Sequence, residues 1–155
     1  MNPSREEPGR HKPAPGVHIH LGEPTIVFVT VAAEHRVPWI AQPQVHQLLV
    51  EVWREAQAWR VGYYLLMPDH VHLFAAPHDL DVSFNRWMRY WKRLFTQRAG
   101  HPDWRWQSLH WDRRLRRAES YSEKWNYIRE NPLRQGLVAD AEAWPYQGML
   151  NILPW

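Results

Sequence analysis

The sequence predicts an α+β fold: a ferredoxin-like antiparallel four-stranded sheet with helices on one face and an extra C-terminal helix. Segments rich in β-branched and aromatic residues alternate with amphipathic segments in the order strand, helix, strand, strand, helix, strand, helix. Two β-α-β halves in that order pack as an antiparallel sheet with the helices on one side. A chain of 155 residues, 45% of them hydrophobic, is sufficient for one domain with a buried core.

The first half of the chain contains three predicted strands and one helix. Residues 25–32 (TIVFVTVA) form the first strand because they are rich in β-branched side chains. The helix begins at Pro43, since proline is favoured at the first helical position, and its apolar residues recur at helical spacing as far as Trp59. Residues 60–67 and 70–76 form the second and third strands, joined by a tight Met-Pro-Asp turn.

In the second half of the chain, a helix and a fourth strand follow the third strand and complete the second β-α-β unit. Either Asp81 or Ser83 caps the helix, which ends at Gly100. A tryptophan-rich loop follows, and a short fourth strand is expected between residues 106 and 115. The helices are therefore expected to cover one face of the sheet and to leave the other face available for a further element.

Composition excludes several classes of protein. The chain contains no cysteine, which excludes disulfides and thiolate metal sites. No apolar run reaches the roughly 18 residues of a membrane span, and no signal peptide is visible, so we expect a cytoplasmic protein with no membrane partner. We interpret the proline-rich residues 1–24 as a flexible N-terminal arm, residues 25–150 as a single domain and residues 151–155 as a tail.

Basic residues are concentrated in the second half of the chain. Residues 1–80 carry a net charge of −2 and residues 81–155 a net charge of +5. This distribution indicates a polyanionic partner, although a solvated basic face would show the same pattern. The residues expected to contact nucleic acid are Arg86, Arg89, Lys92 and Arg93 on the second helix, Arg113, Arg114, Arg116 and Arg117 near the fourth strand, and Trp104, Trp106 and Trp111, on whose rings unpaired bases could stack.

Two histidines on the third strand form the first half of a candidate metal site. Side chains alternate faces along a strand, so His70 and His72 project to the same side while Val71 and Leu73 project to the other side, where they can be buried. A His-x-His triplet alone is a weak signal in a chain with 10 histidines. A catalytic site would need a third ligand and a nucleophile from elsewhere in the chain.

The last predicted helix offers both missing groups. Ser120 and Glu123 form a capping box that begins this helix, and Pro132 ends it soon after Asn131. Tyr127 and Asn131 are four residues apart and would share one helical face. If the helix crosses the open face of the sheet, it brings a phenol and an amide oxygen to the histidines. Such a nitrogen and oxygen ligand set suits Mg²⁺ or Mn²⁺, with zinc not excluded.

Two motifs give the chain a resemblance to a known family. Residues 66–74 (LMPDHVHLF) and residues 127–138 (YIRENPLRQGLV) resemble the REP-associated tyrosine transposases, which are single-tyrosine HUH transposases acting on single-stranded DNA. The resemblance covers roughly residues 25–148 and includes the basic helix around Lys92 and the Trp-Pro-Tyr segment near the C-terminus. Many relatives have asparagine where this chain has Asp69.

The resemblance implies a function and a role for each motif residue. It implies that His70 and His72 are metal ligands, that Asn131 occupies the position of an amide ligand, and that Tyr127 is the nucleophile. The implied activity is metal-dependent nicking and strand transfer of single-stranded DNA through a 5′-phosphotyrosine intermediate, with Mg²⁺ or Mn²⁺ as cofactor. The expected partner is single-stranded or hairpin DNA at hairpin-forming repeats, bound by a monomer or homodimer in the bacterial nucleoid.

Two other functions are compatible with the same residues. A ferredoxin-like nucleic-acid-binding module without catalysis would use the basic residues alone, and Tyr127→Phe would then leave all activity unchanged. A metal-dependent hydrolase would use activated water instead of the phenol and would cleave DNA without forming a protein–DNA adduct.

Overall fold

The computed structural model describes residues 25–116 and 120–154. The predicted arm at residues 1–24 lies outside this part of the chain. The helices and strands are β1 (Val27–Ala32), α1 (Pro43–Glu55), β2 (Trp59–Met67), β3 (His70–Pro77), α2 (Phe84–Ala99), β4 (Trp111–Arg114), α3 (Tyr121–Ile128), α4 (Asn131–Arg134) and β5 (Gln147–Met149), with short 3₁₀ turns at Glu34–Arg36 and Ala141–Ala143.

Within the described residues the sheet has five strands in the order β4-β1-β3-β2-β5, and all neighbouring strands are antiparallel. The α+β class is confirmed, but the predicted count of four strands is wrong. The additional strand, β5, has three residues and pairs with the free edge of β2, with Tyr64 opposite Gly148. A Cβ atom at Gly148 would lie 2.7 Å from the Tyr64 hydroxyl, so this strand depends on glycine for its approach. A segment this short gives no alternating pattern that would predict a strand.

Helix boundaries follow their capping residues. Ser83 rather than Asp81 caps α2, with its hydroxyl accepting a hydrogen bond from the Arg86 amide, and Gly100 ends the helix in the left-handed region at φ 59°. The first helix ends at Glu55, earlier than predicted, because the apolar residues up to Trp59 belong to the following turn and to β2.

The predicted helix from Ser120 to Asn131 is interrupted. Ser120 caps α3 as expected, but α3 ends at Ile128 and Asn131 begins the separate, short helix α4. Pro132 explains the break, because a proline ring clashes with the carbonyl four residues earlier, here that of Ile128. Proline is instead favoured in the first turn of the next helix.

The two faces of the sheet pack against different elements. Helices α1 and α2 cover the face that includes Val71 and Leu73, where the rings of Trp53, Trp87 and Trp91 are fully buried or nearly so. On the opposite face Phe74 and its neighbours pack against α3 and the segment around Trp144. The third strand therefore directs Val71 and Leu73 toward α1 and α2 and Phe74 toward α3, as its alternation predicts.

Among the described residues, no helix is both long enough and apolar enough to cross a membrane.

Candidate metal and nucleic-acid site

The two histidine rings lie side by side at the start of β3. The ring centroids of His70 and His72 are 4.7 Å apart, and the rings are nearly perpendicular at 79°. His72 is paired with Thr30 of β1 on one side and with Leu65 of β2 on the other, so it sits in the middle of the sheet. Strand alternation and the central position of β3 bring the two imidazoles together at a half-buried site.

Each imidazole is held through its Nδ1 atom. The His70 Nδ1 atom lies 2.8 Å from a carboxylate oxygen of Asp69, and the His72 Nδ1 atom lies 3.0 Å from the Thr30 hydroxyl. A ligating histidine usually donates its second ring N–H to such a partner, which sets the tautomer and the ring orientation. With Nδ1 engaged in this way, Nε2 is the nitrogen that each ring has left to bind a metal.

The electrostatics of the site favour a neutral His72. Burial, together with the smaller electrostatic effects of His70 and Lys124, lowers the pKa of His72 to about 3. Burial by itself would raise the pKa of Asp69, but hydrogen bonds from His70 and Arg36 outweigh it and hold that pKa below its usual value. A neutral His72 has the protonation state that metal ligation requires of an imidazole.

The loop after β1 supplies a further residue that sequence analysis did not identify. The Arg36 Nε atom donates to the second carboxylate oxygen of Asp69 at 3.0 Å. His35 and Arg36 both adopt the left-handed region, at φ 58° and 55°, which is costly for residues other than glycine. The Ala33 amide also donates to the Asp69 carbonyl at 3.0 Å, so this strained loop is fastened to the turn before His70.

Helix α3 lies on the same side of the sheet as His72. The Trp125 ring stacks on Tyr63 with a centroid distance of 4.7 Å, and Lys124 places its ammonium 5.2 Å from the Phe28 ring centroid. Phe28 in turn stacks on His72 at 5.4 Å. These contacts place α3 on the histidine face of the sheet. Lys124 is a cation near His72 that sequence analysis missed.

Tyr127 lies on the flank of α3 rather than on its sheet-facing side. Its side chain is 65% exposed, while Trp125 and Ile128 of the same helix are buried. The Arg134 guanidinium carbon lies 4.3 Å from the centroid of the Tyr127 ring. The phenol is therefore accessible to a large substrate and has a cation stacked on its face.

Asn131 and Tyr127 belong to different helices, which corrects the predicted single helix through both residues. It is the first residue of α4, and its side-chain oxygen accepts a hydrogen bond from Arg134 at 2.5 Å. Arg134 also donates to the Tyr127 carbonyl oxygen at 2.8 Å, which ties the end of α3 to α4. In the described parts of the chain, no three His, Asp or Glu side chains are grouped closely enough to hold a metal ion.

The predicted basic stripe on α2 lies on the other side of the molecule. Arg86, Arg89 and Arg93 are exposed and line a groove of about 510 Å³ between α2 and the end of α1, on the face of the sheet away from the histidines. Lys92 points inward, donates to the carbonyl oxygens of Gln107 and Ser108 at 3.3 and 3.4 Å, and has its pKa lowered by burial. The stripe and the histidine pair are therefore not one continuous site.

The basic residues near β4 are divided between the two faces of the sheet. Arg113 pairs with Phe28 and lies on the histidine face, whereas Arg114 pairs with Val27 and lies on the α1 and α2 face. Arg116 is exposed, and Arg117 lies outside the described residues.

Two of the three tryptophans proposed for base stacking are packed into the protein. Trp106 contacts Trp39, Trp91 and Phe95 with centroid distances between 4.8 and 5.5 Å. Trp104 is buried and stacks on Trp39 at 5.8 Å. Trp104 is buried and Trp106 is half-buried, whereas Trp111 is the exposed ring of the three.

Comparison with known proteins gives two informative relatives. The chain is 27% identical over 123 residues to the REP-associated tyrosine transposase of Escherichia coli (strain K12), an alignment that covers 77% of this chain and 73% of the relative. A solved structure of a REP-associated tyrosine transposase bound to a REP hairpin has a similar fold, with a TM-score of 0.69 at 22% identity over 85% of this chain and 81% of that one. No family model matches the chain. In sequence and in fold the chain resembles the REP-associated tyrosine transposases, and the resemblance expected from its two motifs is confirmed.

Proposed function

We propose that this protein is a metal-dependent enzyme that nicks single-stranded DNA and transfers the strand through a 5′-phosphotyrosine intermediate, acting at hairpin-forming repeats. The observation that carries the proposal is the histidine pair. The two imidazoles are adjacent, and their Nδ1 atoms are engaged by Asp69 and Thr30, which leaves the Nε2 atom of each ring to bind a metal. Histidines that bind a metal typically have a hydrogen-bond partner at their second ring nitrogen, as both rings do here. Histidines that only fill space in a core would not require such partners.

The residues present fit a divalent cation such as Mg²⁺ or Mn²⁺. His70 and His72 would hold it through Nε2, and the Asn131 amide oxygen would complete the set once Arg134 releases it. When bound, the ion would act as a Lewis acid that polarises the scissile phosphate and orients it. Because its pKa is lowered, His72 is neutral at pH 7 and needs no deprotonation before it binds a metal.

The covalent step is assigned to Tyr127. Its phenolic oxygen attacks the scissile phosphorus, the bond from phosphorus to the 3′ oxygen breaks, and the phenolic proton passes to solvent. The products are a 5′-phosphotyrosine and a free 3′-OH, so a second 3′-OH can reverse the step without an external energy source. Arg134, stacked on the ring, would stabilise the negative charge that the phenol acquires as it loses its proton.

Two observations support hairpin DNA as the substrate. A protein of similar fold was solved in complex with a REP hairpin, and the second half of this chain has a net positive charge. Arg113 and Lys124 lie on the histidine face, where they would contact phosphates near the scissile bond. Arg86, Arg89 and Arg93 would contact a different part of the DNA, since they lie on the opposite side of the sheet. We expect the affinity to fall steeply with salt because several phosphates are neutralised.

A labelled-substrate assay tests the proposal. Hairpin DNA with unpaired flanks, labelled at the 5′ or the 3′ end, is incubated with the full chain and Mn²⁺ and then denatured. We expect a denaturation-resistant protein–DNA adduct that carries only the 3′-side label. Tyr127→Phe and addition of EDTA should each abolish the adduct. The matched control is Tyr90→Phe, which removes the hydroxyl of another exposed tyrosine, located on α2, and should leave the adduct intact.

A second candidate function is hairpin binding without cleavage. The hydrogen bond between Asn131 and Arg134 favours it, because this bond occupies the amide oxygen that a third metal ligand would require. This function predicts that wild-type protein binds the hairpin but gives no adduct with any divalent cation. Cleavage without an adduct would instead indicate a hydrolase that uses activated water.

A further inference from the structure

We propose that Trp111 is a stacking platform for an unpaired nucleobase next to the phosphate bound at His70 and His72. The inference rests on the proposed function, since it names how the DNA strand is placed at the same site. It assigns a positioning role to one side chain of β4, the short edge strand of the sheet.

The strand register places Trp111 in line with the histidine site. Trp111 pairs with Thr30, and Thr30 pairs with His72, so the three residues form one row across β4, β1 and β3. Residues directly opposite each other in antiparallel strands project to the same face. Adjacent strands are about 4.8 Å apart, so the Trp111 backbone lies about 10 Å from that of His72. The indole therefore stands on the face that carries the imidazoles.

Exposure separates Trp111 from the other tryptophans. Its side chain is 59% exposed, and among the described residues it is the only tryptophan in the exposed class. Its neighbour Asp112 projects to the opposite face, where it is buried beside His110. The ring therefore contributes little to the core, and a large aromatic face is open to water beside the candidate site.

Cationic groups on the same face fit a strand that passes from Trp111 toward His72. Arg113 lies two residues further along β4 and pairs with Phe28. The Lys124 ammonium lies over that same Phe28 ring, and Phe28 stacks on His72. An aromatic platform flanked by cations is the arrangement by which proteins bind single-stranded nucleic acid, with bases stacked and phosphates paired. This combination favours an unpaired nucleotide over an apolar protein partner.

The test uses 2-aminopurine, a fluorescent base whose emission falls when it stacks on an aromatic ring. Hairpin DNA carries the probe at each unpaired position in turn and is titrated with the full chain in EDTA, so that no cleavage occurs. In wild-type protein we expect the emission to fall at a position adjacent to the cleaved bond. In Trp111→Leu that change should be lost, and affinity for the hairpin with unpaired flanks should fall about 5- to 150-fold. Trp111→Phe, which keeps an aromatic face, should recover most of the affinity and the emission change.

Matched controls keep the outcomes distinct. Leu80→Ala removes another exposed apolar side chain and should change neither measurement. Unchanged emission at every position in wild-type protein would overturn the inference, as would equal affinities of wild type and Trp111→Leu. If the wild type forms the adduct in Mn²⁺, those results leave the proposed function standing. If the wild type neither binds the hairpin nor forms an adduct, the proposed function itself has failed.

Discussion

The two faces of the sheet are built from the same strands but differ in how they are covered. Facing α1 and α2, Val71 and Leu73 of β3 are fully buried within a continuous apolar core. On the other face Phe74 is buried under α3, whereas His70 and His72 remain only half-buried. One strand thus carries an apolar set of side chains and a polar set at alternate positions.

This difference indicates a division of labour. Burial and close packing of a closed apolar face stabilise the folded protein, but such a face has no room for groups that must reach a ligand. The histidine face has less apolar contact at its open end and uses side-chain hydrogen bonds from Asp69 and Thr30 to hold its rings. We therefore expect substitutions on the first face to alter stability and those at the open end of the second to alter binding.

Trp87→Ala should have the largest effect on stability. The ring is buried on the helix-covered face, and its Nε1 atom donates to the Ala56 carbonyl at 2.8 Å, so truncation leaves a cavity and an unpaired carbonyl. We expect the free energy of unfolding to fall by about 3–5 kcal/mol in urea titrations. Tyr90→Ala, on the exposed side of the same helix, should change it by less than about 1 kcal/mol. Equal losses in the two variants would contradict the division between faces.

Acid should destabilise the protein through the histidine face. The pKa of His72 is about 3 in the folded chain against an ordinary value of 6.5, so below pH 6.5 the unfolded chain gains a proton that the folded chain does not. The stability linked to this lowered pKa is present above pH 6.5 and is lost as the pH falls toward 3. At 1.36 kcal/mol per pH unit, the loss between pH 6.5 and 4.5 is about 2–3 kcal/mol.

The measurement is urea unfolding in EDTA at several pH values for wild type and His72→Gln. Other titrating groups are common to both proteins, so the difference between the two curves isolates His72. The wild type should lose more stability with acid than the variant does. Parallel curves would show that His72 does not stay neutral in the folded chain.

Thr30→Val should weaken metal binding with little effect on packing. The substitution keeps the branched shape but removes the hydroxyl that engages the His72 Nδ1 atom. Loss of such a partner typically lowers metal affinity about 10- to 100-fold. Calorimetric titration with Mn²⁺ measures the effect, and Thr96→Val on α2 is the control because its hydroxyl bonds only within its own helix. An unchanged affinity in Thr30→Val would argue against His72 as a ligand.

Tyr121→Phe tests how α3 is fastened to the histidine face. The Tyr121 hydroxyl accepts a hydrogen bond from the Tyr63 amide at 3.0 Å, and burial raises the pKa of this phenol to about 12. Removing the hydroxyl leaves a buried amide without its partner, so we expect a loss of about 1–2 kcal/mol in the free energy of unfolding. Amide hydrogen exchange should show faster exchange at Tyr63, and protection equal to that of the wild type would contradict this role.

Much of the fold follows from local patterns that the sequence displays. The alternation in β3 predicts which residues face the helices, and Ser120 marks the start of α3 through its capping box. The fifth strand was missed because its three residues gain their strand character from pairing with β2. The break before Asn131 was missed although Pro132 marks it, since a proline acts on the carbonyl four residues earlier.

Local patterns are enough to predict that His70 and His72 share a face of β3, because side chains alternate along a strand, and that a helix carrying Tyr127 begins at Ser120. Which ring nitrogen of His72 remains available depends on tertiary contacts, because its Thr30 partner is 42 positions away in sequence. Tertiary contacts also decide that Lys92 turns inward while Trp111 turns outward. These side-chain orientations and contacts depend on strand register and on packing between distant segments, which no local periodicity predicts.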